Sequence, residues 1–484
     1  MRSAFFTLII LILLTACARP AVFTPSRTPA TPDTPVPAAT ETPEPAPTPI
    51  LPDPPTGLTQ YTLQAELDYY AHTLEVNEQV LYPNRTGGEL RELVFLVRPA
   101  LFSYGFDLES ITGKDGAVIE GWKLENGSLV IPLAEPLLPL GEAVLNLQFH
   151  LTILNREGTL GFTQWQTNLV NWFPILPPYQ TGTGWIVHNP SDYGEYMFFD
   201  VADFDVRLRF AGESTGLVVA AGAPAVTEDG WQHYRLRAGR TFALSVSPKY
   251  RTFEVRSGDV TVVSYWFTDT DAAGKEAASV AARALDLYSQ LFGPYPRKFF
   301  SVIEADFLDS MEYDGLTLLS RGFYEFYDGT PKTNLTVILP HEVAHQWWYG
   351  LVGNDQALEP WLDESTATYC EALYYQHYYP DLLSWWWENR VDSYHPVGWV
   401  DATIYNAGGY DPYRNAVYLR GAHFYADLRA AMGDEAFFAF LRAYAHDRAY
   451  KIAAGGDFIR LARQFTSADL NPIFKEYFQN PPGD

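Results

Sequence analysis

The stretch HEVAHQWWYG, residues 341–350, decides how the second half of the chain is interpreted. Two histidines stand four residues apart, and a glutamate follows the first. On a helix, positions i and i+4 lie on one face, one turn apart. His341 and His345 can therefore offer imidazole nitrogens to one zinc ion, and Glu342 can take a proton from water beside them. The stretch predicts a metal site, against the alternative of an aromatic-rich helix with two packed histidines.

A third ligand for the same ion stands in the stretch PWLDESTATYCEALYY, residues 360–375. Glu364 follows His345 by nineteen residues, which accommodates the end of one helix, a connection and a return helix. Asp363 is the neighbouring alternative, although on a helix it points about 100° away from Glu364. Three protein ligands without a cysteine leave one position open for water, which favours a catalytic zinc over a structural one.

The sequence around these ligands has the pattern of an α+β domain, which we place at 251–484. VTVVSYWF, FFSVIEADF and GLTLLS have the composition of short strands, and AAGKEAASVAARALDLYSQLFG predicts a helix that ends at a glycine. From Leu335 the pattern is helical almost to the end. Pro340 directly precedes His341, so the motif helix is expected either to begin there or to be kinked.

The preceding residues, 58–250, are expected to form an N-terminal β domain. YTLQAELDYYAHTLEVNEQVLYPN alternates apolar and polar residues and stops at a Pro-Asn turn. GSLVIPL, AVLNLQFHLTI, FDVRLRF and FALSVSP continue the alternation, and clusters of Gly, Asn, Asp and Pro separate them. A mostly antiparallel β-sandwich is therefore predicted ahead of the α+β domain.

The chain begins with MRSAFFTLIILILLTACARP, in which one arginine precedes an apolar run from Ala4 to Leu14. The run is shorter than the roughly 20 apolar residues that cross a bilayer, so residues 1–16 are predicted to be a signal peptide. Leu14 to Cys17 resembles a bacterial lipobox, which implies cleavage before Cys17 and lipidation of its thiol. The alternative is an ordinary signal peptide with an incidental cysteine.

Residues 17–57 are predicted to be a stiff tether behind the lipidated cysteine. The segment 18–57 holds 13 of the 35 prolines and no lysine. Proline fixes φ and removes a backbone donor, so neither a helix nor a sheet fits this composition. In polyproline geometry, at ~3.1 Å per residue, forty residues reach roughly 120 Å. We expect the segment to hold a globular body away from a membrane.

Composition excludes several classes of protein. The formal net charge is -25 and the sequence pI about 4.7, whereas a nucleic-acid-binding protein needs a basic surface. After Cys17, only Cys370 remains, so an internal disulfide is excluded. Aromatic residues make up 15% of the chain. We interpret the run at 347–349 as helix packing, and leave the run at 385–387 open between packing and a substrate rim.

Four stretches together resemble the aminopeptidase N family of gluzincin zinc metallopeptidases. HEVAHQWWYG with the glutamate of WLDES resembles the zinc signature of the family, and SMEYDGLTLLS (310–320) resembles its exopeptidase motif. VYLRGAHFYADLR (417–429) resembles the segment with the catalytic tyrosine, and TQWQTNLVNWFP (163–174) resembles a β-domain loop that lends a glutamine to the site. The similarity covers 58–484 and implies a thermolysin-like gluzincin catalytic domain at 251–484.

The resemblance assigns roles to individual residues of this sequence. It implies a single zinc ion, one general base, one donor to the oxyanion, and two residues at the α-amine of the substrate. His341, His345 and Glu364 would bind the zinc ion, and Glu342 would be the general base. Tyr418 would donate to the oxyanion, and Glu312 would bind the α-amine with the assistance of Gln166.

The sequence also departs from the family pattern. Asp309 and Ser310 stand where the exopeptidase motif has a glycine and a small residue, and Tyr313 and Asp363 each replace a common asparagine. Arg420 replaces the usual lysine, which keeps the charge but not the shape. The large C-terminal helical domain of many relatives is not expected here, so a more open groove is predicted.

The sequence therefore predicts a zinc-dependent aminopeptidase that removes N-terminal residues from peptides by attack of water on the scissile carbonyl at zinc. Its expected partners are peptides with a free N-terminus and, through the lipid on Cys17, a membrane on the extracytoplasmic side. A zinc endopeptidase on the same fold and a non-catalytic, tethered peptide-binding protein are the alternatives. The endopeptidase differs only in the role of Glu312.

Overall fold

The computed structural model of the chain describes residues 51–269 and 271–481. The predicted signal peptide, Cys17 and most of the tether lie outside the described residues. Among the helices of the described part, none is both long enough and apolar enough to cross a membrane.

The first part of the structure, here called the β region, consists of strands joined by turns. Its strands in the described residues are β1 (Thr59–Asp68), β2 (Thr73–Pro83), β3 (Leu90–Leu96), β4 (Phe106–Gly113), β5 (Lys123–Glu125), β6 (Ser128–Leu137), β7 (Glu142–Thr152), β8 (Leu160–Phe162), β9 (Thr167–Leu169), β10 (Tyr179–Gln180), β11 (Gly184–Trp185), β12 (Ala202–Phe210), β13 (Val218–Ala221), β14 (Ala225–Glu228), β15 (Trp231–Gly239) and β16 (Leu244–Ser247).

These strands form one large sheet and two smaller sheets around a common core, and β10 and β11 pair in a separate two-stranded sheet. The large sheet has the order β14-β15-β12-β1-β2-β7-β4 and is antiparallel except for the pair β1 and β12. Buried and more exposed residues alternate along β1 and β2, as the sequence pattern predicts for strands with one face on a core. The smaller sheets β3-β6-β5 and β13-β16-β9-β8 supply the other side of that core, including Phe95 and Val246.

The second part, here called the α+β region, begins at β17. Its strands are β17 (Arg251–Ser257), β18 (Val260–Trp266), β19 (Phe299–Ala305), β20 (Met311–Tyr313), β21 (Leu316–Ser320), β22 (Val352–Gly353) and β23 (Lys451–Ile452). Its helices are α1 (Asp271–Phe292), α2 (Arg321–Glu325), α3 (Asn334–Ala344), α4 (Glu364–Tyr378), α5 (Leu383–Trp386), α6 (Tyr410–Tyr413), α7 (Gly421–Met432), α8 (Asp434–Asp447), α9 (Gly455–Ala462) and α10 (Asn471–Tyr477).

A five-stranded sheet, β17-β18-β19-β21-β20, carries the hairpin that approaches the candidate metal ligands. The turn between β20 and β21 holds Gly315 at φ +72°, and a Cβ there would lie 2.1 Å from the carbonyl oxygen of Gly222 in the β region. Asp314 accepts hydrogen bonds from the backbone N–H of Arg240 and the guanidinium of Arg297. The turn therefore fits closely against the β region and fixes the edge strand β20.

Two sequence expectations for the α+β region are refined by the structure. The motif helix does not begin at His341: α3 starts at Asn334, and Pro340 lies inside it. The short parallel pair of β22 and β23 interrupts the stretch predicted to be helical almost throughout. The described residues group into one compact unit, so the division between 250 and 251 stays a prediction.

Candidate metal centre and adjoining cavity

Helices α3 and α4 bring the three predicted metal ligands together. His341 lies in the last turn of α3, His345 follows its end, and Glu364 is the first residue of α4. The Nε2 atoms of His341 and His345 lie 3.1 Å and 3.6 Å from Oε2 of Glu364. Ligands of a tetrahedral zinc at 2.0–2.1 Å are about 3.3–3.4 Å apart, so this buried set of two imidazoles and one carboxylate fits zinc.

The opposite nitrogen of each histidine is held by the protein. Nδ1 of His341 lies 3.1 Å from Oε1 of Glu371, and Nδ1 of His345 lies 2.9 Å from the carbonyl oxygen of Trp348. An N–H at Nδ1 satisfies each acceptor and leaves the lone pair of Nε2 directed at the shared centre. Glu371 also accepts hydrogen bonds from Arg390 and from the indole of Trp386.

The predicted alternative ligand, Asp363, is not on the helix. It is the N-cap residue of α4, and its Oδ1 accepts the backbone N–H of Glu364 at 3.0 Å. Asp363 also forms a second buried group with Glu312 and His345 whose ligand atoms lie within 4.8 Å of one another. We favour Glu364 as the ligand, because its carboxylate meets both histidine Nε2 atoms.

Glu342 is buried beside the ligands and faces the edge of the sheet. Its Oε2 lies 3.4 Å from the hydroxyl of Thr317 on β21. Burial raises the pKa of the Glu342 carboxyl to about 8, and the charges of Glu312 and Glu364 act in the same direction. A carboxyl in this position is able to exchange a proton near neutral pH.

Tyr418 lies beside the ligand His341. Its ring stacks on the ring of His341, with centroids 5.9 Å apart and planes 7° from parallel. The residue belongs to a π-helical turn, Arg414–Arg420, that precedes α7. Burial raises the pKa of the Tyr418 phenol, and the carboxylate of Glu364 raises it further. The phenol therefore keeps its proton at neutral pH and is able to donate a hydrogen bond.

A cavity of about 270 Å³ opens beside Glu312, between the β region and the α+β region. Glu312 on β20 is buried; its Oε1 accepts a hydrogen bond from Gln356 at 3.4 Å and lies 4.0 Å from Nδ1 of His345. Burial raises the pKa of Glu312, while His345 lowers it. The cavity thus has a carboxylate where it comes closest to the metal ligands.

Glu195, a second carboxylate that the sequence analysis did not select, lines the same cavity. It lies in the irregular segment between β11 and β12, and its buried Oε2 has no hydrogen-bond partner among the described residues. Burial raises the pKa of Glu195, and Glu312 and Glu364 raise it further. A cation, such as an ammonium group, would give Oε2 of Glu195 a partner and would offset the repulsion between the carboxylates.

Gln166 was expected to assist Glu312, and the structure gives it a different environment. Its Nε2 donates to Ser245, to the hydroxyl of Tyr250 at 2.7 Å and to the carbonyl oxygen of Glu304. Its Oε1 accepts the backbone N–H of Asp306 at 2.6 Å. Gln166 does not line the cavity. Its amide joins the β8–β9 turn to the end of β19, so its contacts do not support the substrate-binding role.

The remaining departures from the family pattern separate into two groups. Asp309 and Tyr313 line the cavity, where each is able to affect which side chain enters. Arg420 points away from the ligands, donating to the carboxylate and the carbonyl oxygen of Glu476 in α10.

The tryptophan runs serve mainly in packing. Trp347 and Trp348 are fully buried against aromatic residues of α1, which confirms the packing interpretation. In the second run, Trp386 is buried and donates to Glu371, and Trp387 stacks on the ring of His423. Tyr349, the last residue of the first run, lines the cavity, whereas no residue of the second run does.

The sequence analysis did not select Glu371 or Glu195, and only Glu371 had a signal in the sequence pattern. Glu371 follows Glu364 by seven residues on α4, which places both on nearly the same face two turns apart. Glu195 has no such relation to any motif, because it reaches the cavity from an irregular segment of the β region.

Residues 276–477 match the family described as "Peptidase family M1 domain". Aminopeptidase M1-D of Oryza sativa subsp. japonica is 29% identical over 200 residues, which are 38% of this chain and 23% of the relative. Aminopeptidase N of Lactobacillus delbrueckii subsp. lactis is 24% identical over 302 residues, which are 58% of this chain and 36% of the relative. The chain thus spans between 23% and 36% of the length of these relatives.

Solved structures show the same fold over most of the chain. The M1 zinc metallopeptidase from Deinococcus radiodurans superposes with a TM-score of 0.63 at 20% identity, covering 88% of this chain and 94% of that chain. A mutant of it bound to a Tyr-Ser-Ala substrate also gives a TM-score of 0.63, over 90% and 97% of the two chains. The predicted fold class, a β domain followed by an α+β domain, is confirmed by these structures. Over residues 276–477, the family match agrees with the predicted family.

Proposed function

We propose that this chain, whose residues 276–477 form a peptidase family M1 domain, is a zinc aminopeptidase that removes the N-terminal residue from peptides. The observation that carries the proposal is the buried carboxylate of Glu312 beside the ligand His345, in a cavity that Glu195 also lines. Negative charge at this position favours a substrate whose positively charged terminus lies next to the scissile bond.

His341, His345 and Glu364 would hold the zinc ion. When bound, zinc polarises the scissile carbonyl and makes water acidic enough to deprotonate near neutral pH. The Nδ1 contacts of the two histidines, to Glu371 and to the carbonyl oxygen of Trp348, support this assignment because they orient both rings toward one point.

Glu342 would act as the general base. Its carboxylate takes the proton of the attacking water and passes it to the nitrogen of the departing peptide. The Thr317 hydroxyl, 3.4 Å from Oε2, restricts where the Glu342 carboxylate points. Its position next to His341 in the last turn of α3 supports the role, because the buried carboxyl is close enough to both histidines for their charges to lower its pKa.

Tyr418 would donate a hydrogen bond to the oxygen that becomes negative in the transition state. The phenol stays protonated and its ring is held against His341, so the donor is in place before reaction. A donor preorganised in this way is worth about 3–4 kcal/mol of transition-state stabilisation.

Glu312 would bind the α-ammonium group of the substrate, with Glu195 as the second carboxylate in the place expected for Gln166. Fixing the ammonium group fixes which carbonyl reaches the metal, so that one residue is removed at a time. An endopeptidase would require a neutral backbone at the same position, where these two carboxylates provide no partner.

The proposal is tested with aminoacyl and N-acetyl-aminoacyl fluorogenic substrates, before and after removal of zinc by a chelator and its restoration. We expect turnover of free amines only, lost with zinc and recovered on its return. Glu312→Gln should lower kcat/KM for free amines by about 10–100-fold, the value of a charge-assisted hydrogen bond. Glu125→Gln, on exposed strand β5, is the control. Equal cleavage of acetylated substrates would instead establish the endopeptidase.

We further propose that the mature protein is held outside the cytoplasm by lipid on Cys17. The apolar run of residues 4–14 and the lipobox-like residues before Cys17 support this location. Wild-type protein produced in bacteria should incorporate radiolabelled fatty acid and fractionate with membranes, and Cys17→Ala should do neither. A mature wild-type protein without label would refute the lipid anchor.

A further inference from the structure

The cavity beside Glu312 contains one cation without a carboxylate partner. Arg98, at the start of a 3-10 turn after β3, lines the cavity and is half-buried. Its Nη1 donates to the hydroxyl of Thr159 at 2.7 Å and lies 3.4 Å from the carbonyl oxygen of Val170. Nε and Nη2 make no hydrogen bond or ion pair with any described residue, which leaves two donors of the guanidinium available.

Arg98 and the carboxylates form two distinct electrostatic environments in the same cavity. Glu195 is affected by the acidic residues around the metal ligands, namely Glu312, Glu364, Asp363 and Asp309. The ionisable groups that act on Arg98 are instead Tyr313, Tyr196 and Arg156, and no carboxylate is among them. Among the described lining residues, Glu312 is the carboxylate that lies beside His345, and Arg98 is the one cation; these two places are here called the negative and the positive end of the cavity.

The half-buried guanidinium of Arg98 has lost part of its hydration, and a carboxylate that meets its two free nitrogens forms a strong paired contact. The hydroxyl of Thr159 is already bonded to Nη1, and Tyr313, which shares the cavity, lies close to Arg98. This end of the cavity thus offers donors to a negatively charged ligand group and repels a positively charged one.

Resting on the aminopeptidase activity proposed above, we infer that Arg98 makes the enzyme selective for peptides with an acidic N-terminal residue, glutamate or aspartate. The α-ammonium group binds at Glu312 and Glu195, and the side-chain carboxylate reaches Nε and Nη2 of Arg98. The substrate then matches both ends of the cavity, which a neutral or basic first residue does not.

The first experiment compares wild-type kcat/KM on Glu-, Asp-, Gln-, Leu- and Lys-aminoacyl fluorogenic substrates. Glutamine is the isosteric neutral reference for glutamate. We expect glutamate or aspartate to exceed its amide by about 10–100-fold, the range for a hydrogen bond between charged groups. A wild-type enzyme that cleaves the glutamine substrate as well as both acidic ones overturns the inference without the need for any variant.

The second experiment uses Arg98→Met, which keeps the length of the side chain and removes the charge. We expect the glutamate-to-glutamine ratio to fall to about one while leucine turnover stays within about threefold. Arg156→Met is the matched control, because Arg156 lies near Arg98 but packs on Phe102 outside this cavity. Arg98→Lys should retain part of the preference. A uniform loss on all substrates with Arg98→Met would assign Arg98 a structural role instead.

A binding measurement separates failure of this inference from failure of the proposed function. Calorimetry with zinc-loaded wild-type protein compares free L-glutamate with L-glutamine. Tighter binding of glutamate by about tenfold, without hydrolysis of any substrate, would support the positive end of the cavity and refute the aminopeptidase activity. Hydrolysis of several substrates with equal binding of both amino acids would support the activity and refute the acidic preference.

Discussion

Replacing Glu371 by glutamine should weaken zinc binding although Glu371 is not a ligand. The carboxylate is completely buried and lies between His341 and Arg390. One oxygen is 3.1 Å from Nδ1 of His341, and the two oxygens together accept both forks of the Arg390 guanidinium at 2.9 Å and 3.0 Å. Glutamine has nearly the same shape but offers only one acceptor oxygen.

The expected magnitude follows from the two orientations of the new amide. If its NH₂ faces His341, the imidazole must accept at Nδ1 and carry its proton on Nε2, which blocks the nitrogen that would bind zinc. If its NH₂ faces Arg390 instead, the N–H groups of the amide point at the N–H groups of the guanidinium, and this buried cation loses an acceptor. Loss of an outer partner of a zinc-bound histidine costs 10–100-fold in metal affinity, or about 1.4–2.7 kcal/mol.

Zinc affinity is measured by competition with a chromophoric chelator, which does not depend on turnover. Circular dichroism and a urea titration of each variant establish that the protein compared is folded. Glu388→Gln is the matched control: it removes one negative charge from the same π-helical turn as Arg390, at an exposed position. Its zinc dissociation constant should equal that of the wild type.

A folded Glu371→Gln protein that binds zinc within about threefold of the wild type would refute this reasoning. The orientation of His341 would then be set by the packing of α3 and by the ring of Tyr418, and not by the carboxylate. Arg390→Lys provides a second comparison, since it keeps a cation but loses the forked contact and should reduce zinc affinity less than Glu371→Gln does.

Two other predictions concern turnover and stability. Tyr418→Phe should lower kcat by about 10²–10³-fold with little change in KM or zinc content, and an equal effect on KM would contradict a role confined to the transition state. Burial raises the pKa of Glu304 from 4.5 to about 7 although two backbone N–H groups donate to it, so the folded state binds the proton more tightly. The resulting stabilisation is complete below pH 4.5 and is lost as the pH rises through 7, up to about 3 kcal/mol. Glu304→Gln should remove that part of the pH dependence in urea titrations at pH 5 and pH 8, and parallel curves for the two proteins would contradict it.

The metal ligands could be predicted from the sequence because their placement depends on local geometry. His341 and His345 are one helical turn apart, so any helix through them directs both rings to one side. The prediction of Glu364 as the third ligand also required a return helix after His345. The structure contains this helix, because α4 begins at Glu364. The start of α3 could not be predicted in the same way. Pro340 lies inside α3 and is buried there, so the missing donor of a proline does not by itself mark the start of this helix.

The residues around the cavity could not be predicted from local patterns, since they come from parts of the chain that are far apart in sequence. Arg98 follows a β strand, Glu195 lies in an irregular segment, and Glu312 lies on the edge strand β20. No periodicity links such positions, and contacts between the two regions, among them the close fit of the β20–β21 turn, bring them together. Gln166 illustrates the converse: its motif was recognisable, yet its amide bonds to four protein partners. A substrate group competing for that amide would have to break contacts between the two regions, whereas Glu195 and Arg98 have polar atoms that lack partners. The physical criterion for a binding residue here is therefore an unsatisfied buried group facing the cavity, which only the structure can reveal.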